Sequence, residues 1–461
     1  MFFIIKIVIR PRKVLIMYHF KKLSKTSPII TGTFILTLAS LTTRLIGFFY
    51  RMFLSANFGE EGMGIYQLTS PVLALSYAFC IAGFQTAISK YVAAKEGLGQ
   101  SRSAAFTLFT GLFFSLLLSI PCTFFIYTNA EWIGEQLLSE VRTASLIRII
   151  ALSLPLSCVH SCLNGYFLGR KKASVSAVTQ LLEQIARVLS FFIICHLLTT
   201  NGQTPPLSIA ATGLLIGEGA STLLSVIIFT VSARSIAPNS QIPFRKELPT
   251  LTKDIIKMAV IININRIIVN LFASIETVLL PGSLEKYGLS SSNALSLYGV
   301  LCGMVLPLLL FPNALTGSIS VMLLPAVSEA NEKNQSERIR SLTSKTFLFC
   351  FGLGVVCMLF FLFAGKTLGQ MMFHSEIAGE YIVKLSFICP LLYLSSALNS
   401  ILNGKGKTLQ CLITQVLGLT IRIIFLWFLI PAYGINAYIA GLIISQFVST
   451  VFCLFFLKKY I

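Results

Sequence analysis

Two arginines lie within an apolar stretch near the start of the sequence. The segment "LTTRLIGFFYR", residues 41–51, places Arg44 and Arg51 in an apolar run from Thr33 to Ser55. Seven residues are nearly two helical turns, so both side chains lie on one helix face, about 10 Å apart along the axis. An arginine at the centre of a bilayer costs about 2.5–3.5 kcal/mol even on a permissive scale. The pattern therefore predicts a partner or a water-filled cavity that receives the charge.

Similar charges recur in later apolar runs. The candidate substrate-binding cations are Arg44, Arg51, Arg187, Arg266 and Arg422, and the candidate acids for coupling or ion pairing are Glu183, Glu218 and Glu276. Because Glu183 lies one helical turn before Arg187, we expect Arg187 to be more structural than Arg422. The deep cations outnumber the deep acids, which favours an anion-receiving cavity over buried ion pairs that lock helices together. For Arg51, which lies nearer a helix end, snorkelling to lipid headgroups is an alternative.

The composition is that of a protein embedded in a membrane. Of 461 residues, 55% are hydrophobic and 11% are charged, whereas soluble domains have about 25% charged residues. Apolar runs long enough to cross a hydrocarbon core of about 30 Å recur along the chain. We place them at 33–55, 66–93, 103–128, 141–166, 174–198, 206–232, 255–280, 294–327, 343–364, 377–403, 408–430 and 436–458. The expected fold class is an all-α polytopic membrane protein of about twelve transmembrane helices, the eighth broken near Pro307, Pro312 and Gly317.

Lysine and arginine in the short connections predict the orientation of the helices. The even-numbered connections and both chain ends carry most of these residues, whereas the odd-numbered connections carry acids such as Glu60, Glu61, Glu131, Glu135 and Glu140. Both termini should therefore be cytoplasmic in a multi-pass protein of the cell membrane. The net charge of +19 follows from this topology. Its dispersal over many short loops argues against a nucleic-acid partner.

An internal repeat relates the two halves of the chain. After a shift of 235 positions, residues 155–187 align with residues 390–422 without a gap, and 11 of the 33 positions are identical. The shift spans six helices, so the halves should be parallel six-helix repeats around a central cavity. The expected organisation is a cytoplasmic tail at 1–32, a first bundle at 33–232, a linker at 233–254 and a second bundle at 255–461.

Motifs for catalysis are absent from the sequence. It contains no phosphate-binding loop, and its histidines are too dispersed to suggest a metal site or a catalytic base; they are His19, His160, His196 and His374. We therefore expect no enzymatic activity, no cofactor and no metal site. Met17 is a second candidate start, because residues 1–16 match neither a membrane span nor a secretory signal.

Two segments resemble a known family: "TGTFILTLASLTTRLIGFFYRMFLSANFGEEGMGIYQL" and "AGFQTAISKYVA". They are similar to the family of stage V sporulation protein B, polysaccharide-type flippases of the multidrug/oligosaccharidyl-lipid/polysaccharide exporter superfamily. The resemblance implies export of lipid-linked saccharide intermediates, with lipid II flipping for peptidoglycan or spore cortex as the nearest analogy. It also implies that Arg44 matches an arginine that lines a cationic cavity in lipid II flippases, whose second arginine aligns with Tyr50. Those flippases usually have fourteen helices.

The functional hypothesis is a membrane flippase that moves an anionic lipid-linked saccharide across the cytoplasmic membrane by alternating access. Its expected partners are the saccharide substrate and membrane lipid, with a coupling cation as a further candidate. The arginines would bind the diphosphate through charge-assisted hydrogen bonds while the polyprenyl tail stays in lipid. The alternative is a cation-coupled multidrug exporter of the same superfamily. That function would favour an acid in the first helix, and residues 33–55 contain none.

Overall fold

The computed structural model describes residues 28–233 and 244–460, and all long elements of this part of the chain are helices. They are α1 (28–58), α2 (60–97), α3 (Ser101–Thr128), α4 (Thr143–Gly169), α5 (Ala173–Thr200), α6 (Ile209–Ala233), α7 (Phe244–Lys286), α8 (Ser291–Leu310 and Asn313–Glu332), α9 (Ser336–Phe373), α10 (Glu376–Gly404), α11 (Thr408–Tyr433) and α12 (Ile435–Tyr460). Each predicted span coincides with one of these helices, which confirms the all-α polytopic fold. The candidate start at Met17 and linker residues 234–243 lie outside the described residues.

A single glycine separates α1 from α2. The stretch Pro28–Leu68 is helical on both sides of Gly59, which itself has φ +67° and ψ −170°. Residues with a Cβ rarely adopt this positive φ, so the position favours glycine. The break places Glu60 and Glu61 in the first turn of α2, where the positive end of the helix dipole favours acids.

The eighth span is broken, as its prolines predict. Its first part ends at Leu310, and its second part begins at Asn313, directly after Pro312. Proline lacks the N–H that a continuous helix needs, which accounts for the interruption. Upstream of the break, Gly299–Val305 forms a wider π-helical turn. Such turns often occur at functional sites.

The internal repeat is also a repeat of structure. The equivalent hydrogen bonds are Thr179 to Asn164 (3.2 Å) and Thr222 to Leu156 (2.9 Å) in the first half, and Thr414 to Asn399 (3.5 Å) and Thr450 to Leu391 (3.4 Å) in the second. In each case a threonine hydroxyl donates to an oxygen on α4 or on α10. The units α4–α6 and α10–α12 are therefore equivalent, as the sequence repeat predicts.

The two halves touch where α2 begins. A Cβ on Gly64 of α2 would overlap the carbonyl oxygen of Leu295, and a Cβ on Gly299 of α8 would overlap that of Glu60. Because neither glycine has a side chain, the two backbones can approach closely. This contact joins the first half to the second at one end of the space between them.

An asparagine of α7 forms a second contact between the halves. α2 is interrupted at Ile81, and Asn263 binds there on both sides of the break. The N–H of Gly83 donates to Asn263 Oδ1 at 2.6 Å, and Asn263 Nδ2 donates to the Phe79 carbonyl at 2.9 Å. The amide side chain thus satisfies backbone groups that the interrupted helix leaves unpaired.

Candidate functional site

A cavity of about 370 Å³ lies between the two halves. Residues of α1, α2, α5 and α8 line it. They include Arg44, Tyr50 and Arg51 of α1, Tyr66 of α2, Gln184 and Arg187 of α5, and Pro307 and Phe311 of the α8 region. The fold therefore brings three of the five predicted arginines to one cavity, and its described lining contains no carboxylate.

Arg44 and Arg51 reach this cavity from one face of α1, as their spacing predicts. The Arg44 side chain is exposed, whereas Arg51 is half-buried. Arg51 Nη1 donates to the carbonyl oxygen of Gly303 at 3.2 Å. Gly303 belongs to the π-helical turn of α8, so this bond connects the two halves. The alternative that Arg51 snorkels to lipid headgroups is therefore wrong for this structure.

Arg187 enters the cavity from α5 and is held by Glu183. Its Nη2 lies 2.6 Å from Glu183 Oε1, which confirms the pairing predicted from their spacing. Arg187 Nε is buried and has no hydrogen-bond partner among the described residues. A ligand in the cavity could satisfy this donor, because an unpaired buried donor is costly.

Glu183 also belongs to a buried cluster around His160. His160 Nδ1 lies 3.4 Å from Glu218 Oε2 and 3.9 Å from Glu183 Oε2. His160, which is far from the other histidines in the sequence, has two acids beside it because the fold packs α4, α5 and α6 together. The ring nitrogen and both carboxylate oxygens lie within 4.8 Å of one another. Because Glu183 already binds a guanidinium, we assign no metal to this cluster.

Glu218 pairs with this histidine in the described structure. The sequence made it a candidate partner for one of the arginines. The sequence gives no signal for the pairing with His160, because 58 positions separate the two residues along the chain. Only the packing of α4 against α6 brings them together.

Arg422 forms a separate site in the second half. Its Nη1 lies 3.5 Å from Glu276 Oε1, and its Nε donates to Ser445 Oγ at 2.9 Å. The Tyr438 hydroxyl donates to the same glutamate at 2.7 Å. The Glu276 side chain is 9% exposed and that of Glu183 is 18% exposed, so the acid of the Arg422 pair is the more enclosed of the two. From the enclosure of Glu276 we predict that Arg422 is the more structural arginine, whereas the sequence favours Arg187.

The remaining predicted arginine, Arg266, is not among the lining residues of the arginine cavity. Its side chain is exposed on α7. The asparagines that share its helix face bind the backbone of α2: Asn263 at Phe79, and Asn270 at the Ala74 carbonyl, 3.1 Å away. These polar residues of α7 thus join the halves.

The sequence did not predict the polar contacts around the start of α2. Arg142, in the connection between α3 and α4, lies 2.8 Å from both Glu61 and Glu140. Ser292 of α8 donates to Glu61 at 2.8 Å, so this group also reaches the second half. Hydrogen bonds from Arg142 lower the pKa of Glu140, and the Glu140 carboxylate raises the pKa of Arg142.

A second serine reaches α2 from the other half. The Ser375 hydroxyl, at the start of α10, donates to Glu60 at 2.5 Å. Together with Ser292, it joins the acids of the first α2 turn to the second half. These acids are recognisable in the sequence as loop charges, but their partners are distant in the chain.

Comparison with known proteins identifies the family. Residues 29–330 match the family model described as "Polysaccharide biosynthesis protein". The chain belongs to this polysaccharide biosynthesis protein family. Stage V sporulation protein B of Bacillus subtilis (strain 168) is 26% identical over 416 residues, which cover 88% of this chain and 79% of that protein. Lipid II flippase MurJ of the same organism is 22% identical over 421 residues, which cover 87% and 77%.

A solved structure supports the fold of this polysaccharide biosynthesis protein. An inward-facing multidrug resistance MATE family transporter of the MOP superfamily superposes with a TM-score of 0.70 at 16% identity, covering 91% of this chain and 94% of that one. The fold expected from the sequence is therefore confirmed, and the chain is a multi-pass membrane protein. The matched residues 29–330 include every lining residue of the arginine cavity.

Proposed function

We propose that this polysaccharide biosynthesis protein is a flippase that moves an anionic lipid-linked saccharide across the cytoplasmic membrane by alternating access. Its substrates would be peptidoglycan or spore-cortex precursors, or other polysaccharide intermediates carried on a lipid diphosphate. The observation that carries this proposal is the convergence of Arg44, Arg51 and Arg187 on one cavity whose described lining has no carboxylate. Excess positive charge in a cleft with low-dielectric walls attracts and holds anions.

The three guanidinium groups suit a diphosphate in number and geometry. Each offers five N–H donors in a rigid fork that matches phosphate oxygens. Arg51 uses a donor for Gly303 and Arg187 uses one for Glu183, which leaves further donors for a ligand. The cavity, about 370 Å³, falls in the range of small-molecule sites, about 300–1,000 Å³. The charged headgroup would bind here while the polyprenyl tail remains in lipid.

Transport would require the two halves to separate alternately at either end of the cavity. We propose that residues 33–232 and 255–461 rock against each other about the linker 233–254. With both termini cytoplasmic, as the positive-inside rule indicates, the contact of Gly64 and Gly299 closes the outer end. Opening that end would break the close packing of α2 and α8.

The remaining candidates of the site take different roles in this proposal. Arg422 and Glu276 would stabilise the second half as an enclosed ion pair. Arg266 lies outside the cavity in this conformation. Glu183 and Glu218 are the candidates for coupling to an ion gradient. We propose no catalytic step and no cofactor.

Substrate binding tests this proposal against the alternative of a cation-coupled drug exporter. Binding of a fluorescent polyprenyl-diphosphate saccharide to the protein in lipid nanodiscs should weaken about 10- to 100-fold in Arg44→Ala, since a hydrogen bond to a charged group contributes about 1.5–3 kcal/mol. Arg44→Lys should retain part of the affinity, because lysine keeps the charge but loses the fork. Arg148→Ala is the control, as that arginine pairs with exposed Glu131.

Two outcomes would contradict the proposed flippase function. The first is wild-type affinity of Arg44→Ala for the diphosphate lipid. The second is tight binding of cationic drugs together with no binding of the diphosphate lipid, which would favour the drug exporter. Arg148→Ala should match the wild type in each measurement.

A further inference from the structure

His160 of α4 lies between carboxylates of two other helices. Its Nδ1 is 3.4 Å from Glu218 of α6 and 3.9 Å from Glu183 of α5. Only 5% of the His160 side chain is exposed, and the two glutamates are 15% and 18% exposed. The cluster is thus largely removed from water. One of its members, Glu183, also holds Arg187, which lines the cavity.

The surrounding hydrogen bonds indicate the tautomer of His160. His160 Nδ1 faces the Glu218 carboxylate and the Ser221 hydroxyl, and that hydroxyl donates its own proton to the Glu218 carbonyl oxygen at 3.0 Å. Both neighbours accept at this nitrogen, so the neutral ring carries its proton on Nδ1, and Nε2 accepts from the Asn164 amide 2.9 Å away. That proton points towards Glu218 Oε2 and the Ser221 hydroxyl, the latter 3.2 Å from Nδ1.

With a neutral histidine, the cluster contains two carboxylates and one guanidinium. Its net charge is then −1, and one bound proton would neutralise it. Burial disfavours an uncompensated charge, so a proton is a natural ligand for this arrangement. The other titratable groups near the cluster on packed helices are Tyr50 and Arg51 of α1, Tyr77 of α2 and, beyond Tyr77, Arg266 of α7.

The second half has neutral residues at the equivalent positions. The equivalent pairs are His160 and Ser395, Glu183 and Gly418, and Glu218 and Gln446. Gln446 Nε2 donates to Ser395 Oγ at 2.6 Å, in the place of the contact between His160 and Glu218. Both halves keep the same threonine-to-asparagine hydrogen bond. The fold of such a unit therefore does not require the titratable groups, which belong to the first half alone.

We propose that His160, Glu183 and Glu218 form a proton-binding site that controls how far Arg187 is available to the anionic substrate. The proposal rests on the anion-binding function of the cavity. When the cluster takes one proton from water, its negative charge is neutralised and Glu183 holds Arg187 less strongly. The guanidinium donors of Arg187 then bind the diphosphate. Loss of the proton restores the salt bridge, so proton binding and anion binding favour each other.

A metal cation suits the cluster less well than a proton. A guanidinium already lies 2.6 Å from Glu183 and would repel a cation bound beside it. The Nδ1 proton of His160 points towards Glu218, whereas a metal ligand must present a lone pair. Sodium is therefore an alternative for the experiment to exclude.

The proton site can be tested in the protein without substrate. Infrared difference spectra recorded on acidification should show a protonated carboxyl band for the wild type in lipid nanodiscs. Glu183→Gln and Glu218→Gln should each reduce or remove this band, while Glu276→Gln, the buried carboxylate of the second half, should retain it. A wild-type spectrum that neither cluster variant alters would overturn the proton site, as would a band abolished by sodium at constant pH.

Calorimetry tests the link to Arg187. Titration with a short-chain polyprenyl diphosphate in buffers of different ionisation enthalpy should show uptake of up to one proton per bound ligand in the wild type. Glu183→Gln should bind the same ligand with less proton uptake. Because protonation of the diphosphate itself contributes to both titrations, the difference in uptake between the two proteins reports on the cluster. Binding with equal proton uptake in both proteins would overturn the coupling and leave the flippase proposal standing. Failure of the wild type to bind the diphosphate would instead contradict the flippase and, with it, the coupling.

Discussion

Replacing Arg422 with glutamine should destabilise the second half more than the equivalent change at Arg187 destabilises the first. The change leaves the Glu276 carboxylate, which is 9% exposed, without its cation. Breaking a buried ion pair from one side costs about 3–5 kcal/mol. The Arg422 side chain is 24% exposed and Glu276 keeps its hydrogen bond from Tyr438, so we expect a loss near the lower limit, about 3 kcal/mol.

The assay is thermal unfolding in detergent micelles, followed by intrinsic fluorescence. One kcal/mol shifts the midpoint by about 2–4 °C in chains of 150–250 residues and by less in longer ones, so Arg422→Gln should lower it by roughly 3–6 °C. Arg187→Gln should lower it by less, because Glu183 is 18% exposed and stays near His160.

A double variant separates the ion pair from general damage. Glu276→Gln combined with Arg422→Gln removes the unpaired carboxylate, so this protein should recover much of the stability that Arg422→Gln loses. Two results would refute the reasoning. One is an unchanged midpoint in Arg422→Gln, and the other is a double variant whose loss equals the sum of the two single losses.

Three further perturbations probe the contacts between the halves. Gly299→Val should force α2 away from α8, because a Cβ there overlaps the Glu60 carbonyl; spin-label distances across this contact should lengthen, and unchanged distances would contradict the packing. Glu140→Gln should lower the midpoint of thermal unfolding at neutral pH. The difference from the wild type should disappear as the pH falls through the lowered pKa of Glu140, because a carboxylate with a depressed pKa stabilises the fold only while it is ionised. A difference in midpoint that persists in acid would exclude this cause. Asn263→Ala should lower the midpoint by several degrees, because it removes the partner of the buried Gly83 N–H and of the partly buried Phe79 carbonyl. A wild-type midpoint would contradict that role.

Much of the fold was readable from the sequence because membrane insertion requires long apolar runs. Hydrophobicity located all the helices of the described part, and Pro312 indicated the break in α8. The identities between residues 155–187 and 390–422 predicted the two equivalent units. Hydrophobicity does not report where a helix is locally interrupted. The break in α2 at Ile81 has no proline beside it and was not predicted.

The arginine cavity was predictable in part, because a charge deep in a span needs a polar environment. The depth of Arg44 within its span indicated that it lines a cavity. The helical spacing of Glu183 and Arg187 indicated that they form a pair. The depth of a residue within its span does not indicate which helices pack together. Arg422 was therefore grouped with the cavity arginines, although its partner is Glu276. His160 was missed for the same reason, since its neighbours come from other helices.

The most direct test of the central claim is transport itself. The protein is reconstituted in liposomes with a lipid-linked saccharide diphosphate, and movement of the saccharide between leaflets is followed by its accessibility to an external enzyme that modifies the sugar. We predict that wild-type protein and Arg148→Ala accelerate this movement, that Arg44→Ala abolishes the acceleration at equal reconstitution, and that Arg44→Lys retains a fraction of it. Equal acceleration by Arg44→Ala and wild-type protein would contradict the claim that the cavity of Arg44, Arg51 and Arg187 carries the anionic substrate.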